Sequence, residues 1–187
     1  MILYIHGFAS SGKGIKAELL RDFFTENGEK FLSPSLSFIP HLSVSTLENI
    51  IEVCDEEITL MGSSLGGYYA IYLAQKYALK AILINPSIFP QQTLQKVMGS
   101  NKSFYDESFS FSWDESLVDS LQFYAVDTID PKLYFLLTQK GDEVLDYTEA
   151  TKKLSGARII TQEGGNHSFL DIDKYFDQIL DFIREEK

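Results

Sequence analysis

Six short apolar runs, spaced out by stretches of helical periodicity, constrain this chain more than any other feature. Ile2-Leu3-Tyr4-Ile5 is apolar at every position, the pattern of a strand covered on both faces. Phe31-Leu32-Ser33-Pro34, Ile58-Thr59-Leu60-Met61, Ala81-Ile82-Leu83-Ile84 (stopped by Asn85-Pro86), Leu133 to Leu137 and Arg158-Ile159-Ile160-Thr161 follow. Between them, Lys16 to Asn27 sets Ala17, Leu20, Phe23 and Phe24 at helical spacing, with Gly28 as a left-handed terminator. Ser45-Thr46-Leu47-Glu48 matches a capping box, which predicts a helix from there to about Cys54. Further helices are predicted from about Leu65 to Tyr77, from Tyr147 to Leu154 with Gly156 after it, and from about Asp173 to Arg184. In the last, Tyr175, Phe176, Ile179, Leu180 and Ile183 form the buried stripe. Parallel strands need crossover connections, so this alternation predicts an α/β architecture: a parallel sheet of about six strands with helices on both faces. The rhythm lapses only from Pro90 to Pro131, which carries Phe104, Tyr105, Phe109, Phe111, Trp113, Phe123 and Tyr124. That segment, about 90–131, reads as a small cap inserted into one domain spanning 1–187.

Composition narrows the partners. The 187 residues carry a net charge of −11 with no compensating basic cluster, which argues against nucleic acid or an anionic membrane as partner. Asp55-Glu56-Glu57 reads as a solvated helix end or loop. One cysteine, Cys54, precludes an intramolecular disulfide and suits a reducing compartment. Met1 runs directly into the first strand without a basic leader or a long apolar stretch, so the expectation is no secretion signal and no stable membrane insertion.

Gly62-Ser63-Ser64-Leu65-Gly66 fits G-x-S-x-G. Chance supplies that pattern in roughly one of every ten to twenty chains of this length, so its context decides. Here an apolar run precedes it and a helical stretch follows, the setting in which the serine tops a tight strand-to-helix turn with its oxygen exposed. Glycines flank it because such a turn leaves no room for a Cβ. The plainer alternative is that Ser64 only caps a helix.

A serine hydroxyl needs a neighbouring base to act as a nucleophile. The chain has three histidines: His6 after the first run, His41 before the second helix, and His167 in Glu163-Gly164-Gly165-Asn166-His167 after the sixth run. Loops at the carboxyl ends of parallel strands share one edge of the sheet, so His6, Ser64 and His167 can meet there. The chain order serine, acid, histidine selects His167. The acid then falls in Gly141-Asp142-Glu143-Val144-Leu145-Asp146. Asp142 is nearest the strand end and is the first choice, Asp146 the second and Glu143 the third. For the oxyanion, the backbone N–H groups of Leu65, at a helix N-terminus, and Phe8, in the first loop, are the candidates. His6 is then expected to organise that loop.

The same loop, Gly7-Phe8-Ala9-Ser10-Ser11-Gly12-Lys13-Gly14, nearly matches G-x-x-x-x-G-K-[ST]. Gly14 removes the hydroxyl that would hold Mg²⁺. A nucleotide-binding protein is therefore the rival from another reaction class, and a hydrolase-fold binding protein without catalysis the non-enzymatic one.

Taken together, these residues resemble the YqiA-like esterases, small bacterial α/β-hydrolases. The matching stretches are Leu3-Tyr4-Ile5-His6-Gly7-Phe8 with Ser10-Ser11, Gly62 to Ala70, Asn85-Pro86, Gly141 to Tyr147, and Glu163 to His167. The resemblance runs over essentially the full length. It implies Ser64, Asp142 and His167 as catalytic residues and a minimal α/β-hydrolase fold lacking the first two strands of larger relatives. It also implies a cytoplasmic esterase without cofactor or metal, acting on a small-molecule acyl ester or thioester. Departure from the family is greatest between about Ser103 and Asp127, where the aromatics either pack as an ordinary cap or line an acyl pocket.

Overall fold

A computed structural model describes residues 1–105 and 108–185. Its sheet is parallel, with strands β1 (Ile2–Ile5), β2 (Phe31–Leu32), β3 (Thr59–Ser64), β4 (Lys80–Pro86), β7 (Tyr134–Gln139) and β8 (Arg158–Gln162) in the order β2-β1-β3-β4-β7-β8. Register runs straight across the middle: Leu3 lies beside Leu60, Leu60 beside Ala81, and Ala81 beside Tyr134.

Successive strand side chains go to opposite faces, and each face has its own helices. Ile2, Tyr4, Met61, Ile82, Ile84, Phe135 and Leu137 pack under α1 (Ile15–Glu26) and α7 (Phe176–Arg184). Leu3, Ile5, Leu60, Ala81, Leu83, Tyr134 and Leu136 pack under α2 (Pro40–Val53), α3 (Leu65–Tyr77) and α6 (Tyr147–Lys153). This is the doubly covered α/β sheet that the apolar runs predict. Gly28 follows α1 at φ +78, left-handed as expected.

Helix α2 starts five residues before the predicted capping box. Pro40 opens it, Ile39 is the extended residue ahead, and no side chain caps it. A proline at the first helical position has φ set for the helix and gives up no needed donor. Ser45 therefore lies inside the helix, and so does His41. The last helix also begins late, because Ile172–Tyr175 forms a 3₁₀ turn ahead of α7.

Between β4 and β7 the chain forms α4 (Pro90–Leu94), an antiparallel hairpin of β5 (Gly99–Lys102) and β6 (Ser110–Trp113), and α5 (Glu115–Ser120). None of these is visible as an apolar run: β5 reads Gly-Ser-Asn-Lys. Phe111, Trp113, Val118 and Leu121 from this insertion join the α3 face of the core. Among the described residues no helix is long and apolar enough to cross a membrane.

Candidate active site

The G-x-S-x-G segment closes β3 and opens α3. Ser64 itself has φ 56 and ψ −122, a strained conformation for a residue with a side chain, of the order of 1–3 kcal/mol. Its neighbours fix that strain. A Cβ on Gly66 would lie 2.0 Å from the carbonyl oxygen of Ile5, and one on Gly62 2.3 Å from that of Gly66. Only hydrogen at these positions lets α3 start directly behind the ends of β1 and β3.

The loop after β8 brings His167 to this turn. Its Nε2 lies 3.0 Å from Ser64 Oγ, and its Nδ1 lies 2.8 Å from Asp142 Oδ2 and 3.0 Å from Oδ1. Asp142 follows β7, and its side chain is 2% exposed. Burial pushes its carboxyl upward, but hydrogen bonds from His167 and from the Leu145 and Val144 amides, both 2.9 Å, outweigh that and hold it below the usual carboxylate range. The other two acid candidates are used differently. Asp146 accepts from the Thr148 amide at 2.8 Å and caps α6, while Glu143 accepts the backbone N–H of His167 at 3.0 Å.

Phe8, Ser64, Leu65 and His167 all line one cleft of about 470 Å³. Gly7 is so close that a Cβ there would be 3.2 Å from Ser64 Cβ. Phe8 is clamped edge-on by Trp113, 4.9 Å between ring centroids, and Phe111, 5.5 Å. His6 holds the same loop: its Nε2 accepts the Leu36 amide at 2.9 Å, so Nδ1 carries the proton and donates to the Gly7 carbonyl at 2.9 Å. Burial lowers its pKa, which favours that neutral ring.

The resemblance of this loop to a phosphate cradle ends at its amides. Ser10 N–H donates to the Gly7 carbonyl, Gly12 N–H to Ser35 Oγ, Lys13 N–H to Ser11 Oγ and Gly14 N–H to the Ser11 carbonyl. Lys13 is exposed. Four of the donors that would wrap a phosphate are thus already spent inside the protein.

Two supports of the site have no signature in the sequence. Asn85, known only as a strand stop and half of a matched dipeptide, is 2% exposed with φ 40. It donates to the Asn166 carbonyl at 3.1 Å and accepts the Gln139 amide at 2.9 Å, tying β4 to β7 and to the His167 loop. Gln139 accepts the Asn166 amide at 2.9 Å and donates to Asp171 at 2.7 Å. Polar residues at the ends of apolar strands are the available signal, and many such residues do nothing. Lys16 is the third unforeseen residue: it lines the cleft, where its Nζ donates to Ser63 Oγ at 2.8 Å.

The aromatics of the insertion divide. Trp113 and Phe111 are buried, whereas Phe104 and Tyr105 line the cleft. The Phe104 amide donates to the Ala9 carbonyl at 2.9 Å, and Tyr105 Oη accepts the Ile15 amide.

Comparison with known proteins settles the lineage. The model of the "Uncharacterised protein family (UPF0227)" matches residues 1–184. The chain belongs to the UPF0227 family. A UPF0227 protein of Vibrio parahaemolyticus is 24% identical over 97% of this chain and 98% of its own. Among solved structures, mouse alpha/beta hydrolase domain-containing protein 10 superposes with a TM-score of 0.75 at 18% identity, covering 97% of this chain and 88% of the mouse one. Est1E of Butyrivibrio proteoclasticus with ferulic acid bound gives 0.70 at 16%, covering 98% and 89%. This UPF0227 chain therefore has the α/β-hydrolase fold.

Proposed function

We propose that the protein is a serine hydrolase that cleaves carboxylic esters or acyl thioesters through an acyl-enzyme. The observation that carries this is the continuous hydrogen-bonded path from Ser64 Oγ through His167 to Asp142, opening on an apolar cleft. In the reaction, Ser64 Oγ attacks the substrate carbonyl while His167 Nε2 takes its proton. Asp142 accepts the Nδ1–H and steadies the imidazolium. The Phe8 and Leu65 N–H groups receive the oxyanion, each such donor being worth about 3–4 kcal/mol. His167 returns the proton to the departing alkoxide or thiolate. Water, deprotonated by the same imidazole, then attacks the acyl-enzyme and releases the acid. The insertion at 90–131 serves as a cap, with Phe104 and Tyr105 against the acyl chain. The alpha/beta hydrolase named among the structural neighbours fits this chemistry, and a single Cys54 fits a cytoplasmic setting.

Ser64→Ala tests the reading. It should lower kcat/KM for p-nitrophenyl butyrate by at least about 10³-fold and abolish labelling by a fluorophosphonate, with the melting temperature kept or raised because the fold is intact. Retention of more than a few per cent of the wild-type rate would refute it.

A further inference from the structure

Ser64, His167 and Asp142 leave one cation of the cleft unexplained. Lys16, the second residue of α1, lines the same cleft as the nucleophile, and its Nζ donates to Ser63, the sequence neighbour of Ser64. An ammonium has three N–H donors, and Ser63 takes one. Among the described residues no carboxylate lies within ion-pair distance of Lys16. Asp142 attracts it from further off, but both Asp142 oxygens are occupied by His167, and Oδ1 also by two amides. The cleft that Lys16 lines has much apolar wall, with Ile15, Leu94, Val97, Phe104 and Leu170. A chain with 27 acidic and 16 basic residues could easily have placed a carboxylate beside it. Keeping a desolvated cation without one is costly unless something else brings the negative charge.

We propose that Lys16 determines specificity by pairing with an anionic group, a carboxylate or phosphate, carried by the ester or thioester that Ser64 attacks. The proposal rests on the serine-hydrolase reading above. Binding completes an ion pair with a cation already largely desolvated by the protein, where a charge-assisted hydrogen bond is stronger than at the surface. A purely structural role, holding Ser63 and through it the turn, would affect every substrate alike.

The test compares three esters in wild type, Lys16→Met and Lys16→Arg: neutral p-nitrophenyl butyrate, mono-p-nitrophenyl glutarate with the anion on the acyl side, and 4-acetoxybenzoate with it on the alcohol side. The ratio of kcat/KM for the preferred anionic ester to that for butyrate should fall at least about ten-fold in Lys16→Met, equivalent to about 1.4 kcal/mol. The loss should lie mainly in KM, and Lys16→Arg should restore part of the ratio. Which anionic ester responds identifies the side. An unchanged ratio for both anions, including an equal fall on all three esters, overturns the proposal.

Charge gives a second readout. Burial pulls Lys16 down to about 8, with Asp142 opposing, so the ammonium is present below that pH and lost above it. The anionic preference should therefore decay as pH rises through about 8. Tyr4, Tyr105, Asp142 and His167 also face this region, but they act on both esters and cancel in the ratio. Finally, monomethyl glutarate and 4-acetoxybenzoate are titrated calorimetrically into Ser64→Ala with and without Lys16→Met. One of them should bind only when Lys16 is present, and equal binding overturns the proposal. This arm needs no turnover, so it stands even if Ser64 is not the nucleophile.

Discussion

The rim of the sheet and the insertion at 90–131 face each other across the cleft and are built on opposite rules. At the rim the backbone is over-determined: Ser64, Asn85 and Phe169 all hold positive φ, and the turns around them leave no space at Gly62 or Gly66. Buried amide side chains, Asn85 and Gln139, lock the loops to one another. The insertion is anchored by Trp113 and Leu121, both fully buried, yet leaves Phe104 79% and Phe123 73% exposed. Strain persists only where surrounding structure enforces it, so the rim can hold a hydroxyl and an imidazole 3.0 Å apart. The insertion has no such duty, and its outward side chains are free to change with the substrate.

The comparison breaks most visibly at Gly66. Gly66→Ala forces a Cβ to within 2.0 Å of the Ile5 carbonyl oxygen and 2.6 Å of that of His6. Both are backbone atoms of a buried strand end, so relief requires α3 to move. The expected loss is more than about 3 kcal/mol in urea unfolding. A loss below about 1 kcal/mol would mean that the rim is softer than its contacts imply. Asn85→Ala should follow at about 2 kcal/mol, because it leaves the buried Gln139 amide without an acceptor. It also frees the His167 loop, so kcat should fall by roughly 10–100-fold while KM for a small neutral ester stays within about three-fold. A variant that loses stability but keeps kcat would reduce Asn85 to a packing residue.

What was legible in the sequence follows the same division. The six apolar runs are readable because strands covered on both faces must be apolar at nearly every position, as Ile2 to Ile5 and Ala81 to Ile84 are. Ser64, Asp142 and His167 are readable as candidates because each sits just past such a run, and the structure brings the three within hydrogen-bonding reach. The start of α2 differs from the expected one because a capping box and Pro40 give competing signals five residues apart, and Pro40 wins by its fixed φ. The β5–β6 hairpin was silent because Gly99 to Lys102 is polar and mostly exposed, so no burial pattern marks it. Asn85, Gln139 and Lys16 were invisible as functional parts, since their partners lie 54, 27 and 47 residues away along the chain.

The smallest effect on stability belongs to the insertion, and it sharpens the contrast. Phe104 lines the cleft, as Val97 and Leu170 do, but is 79% exposed, so folding gains little from its ring. Its backbone, not its side chain, makes the hydrogen bond to Ala9, and that bond survives substitution. Phe104→Ala should therefore change unfolding free energy by no more than about 0.5 kcal/mol. If the ring covers bound acyl chains, KM should rise with chain length across a p-nitrophenyl ester series, reaching a few-fold for the longer members because each buried methylene contributes about 0.8 kcal/mol at most. A uniform change in kcat at every chain length would show instead that Phe104 acts on the rim, and the two regions would then not be separable.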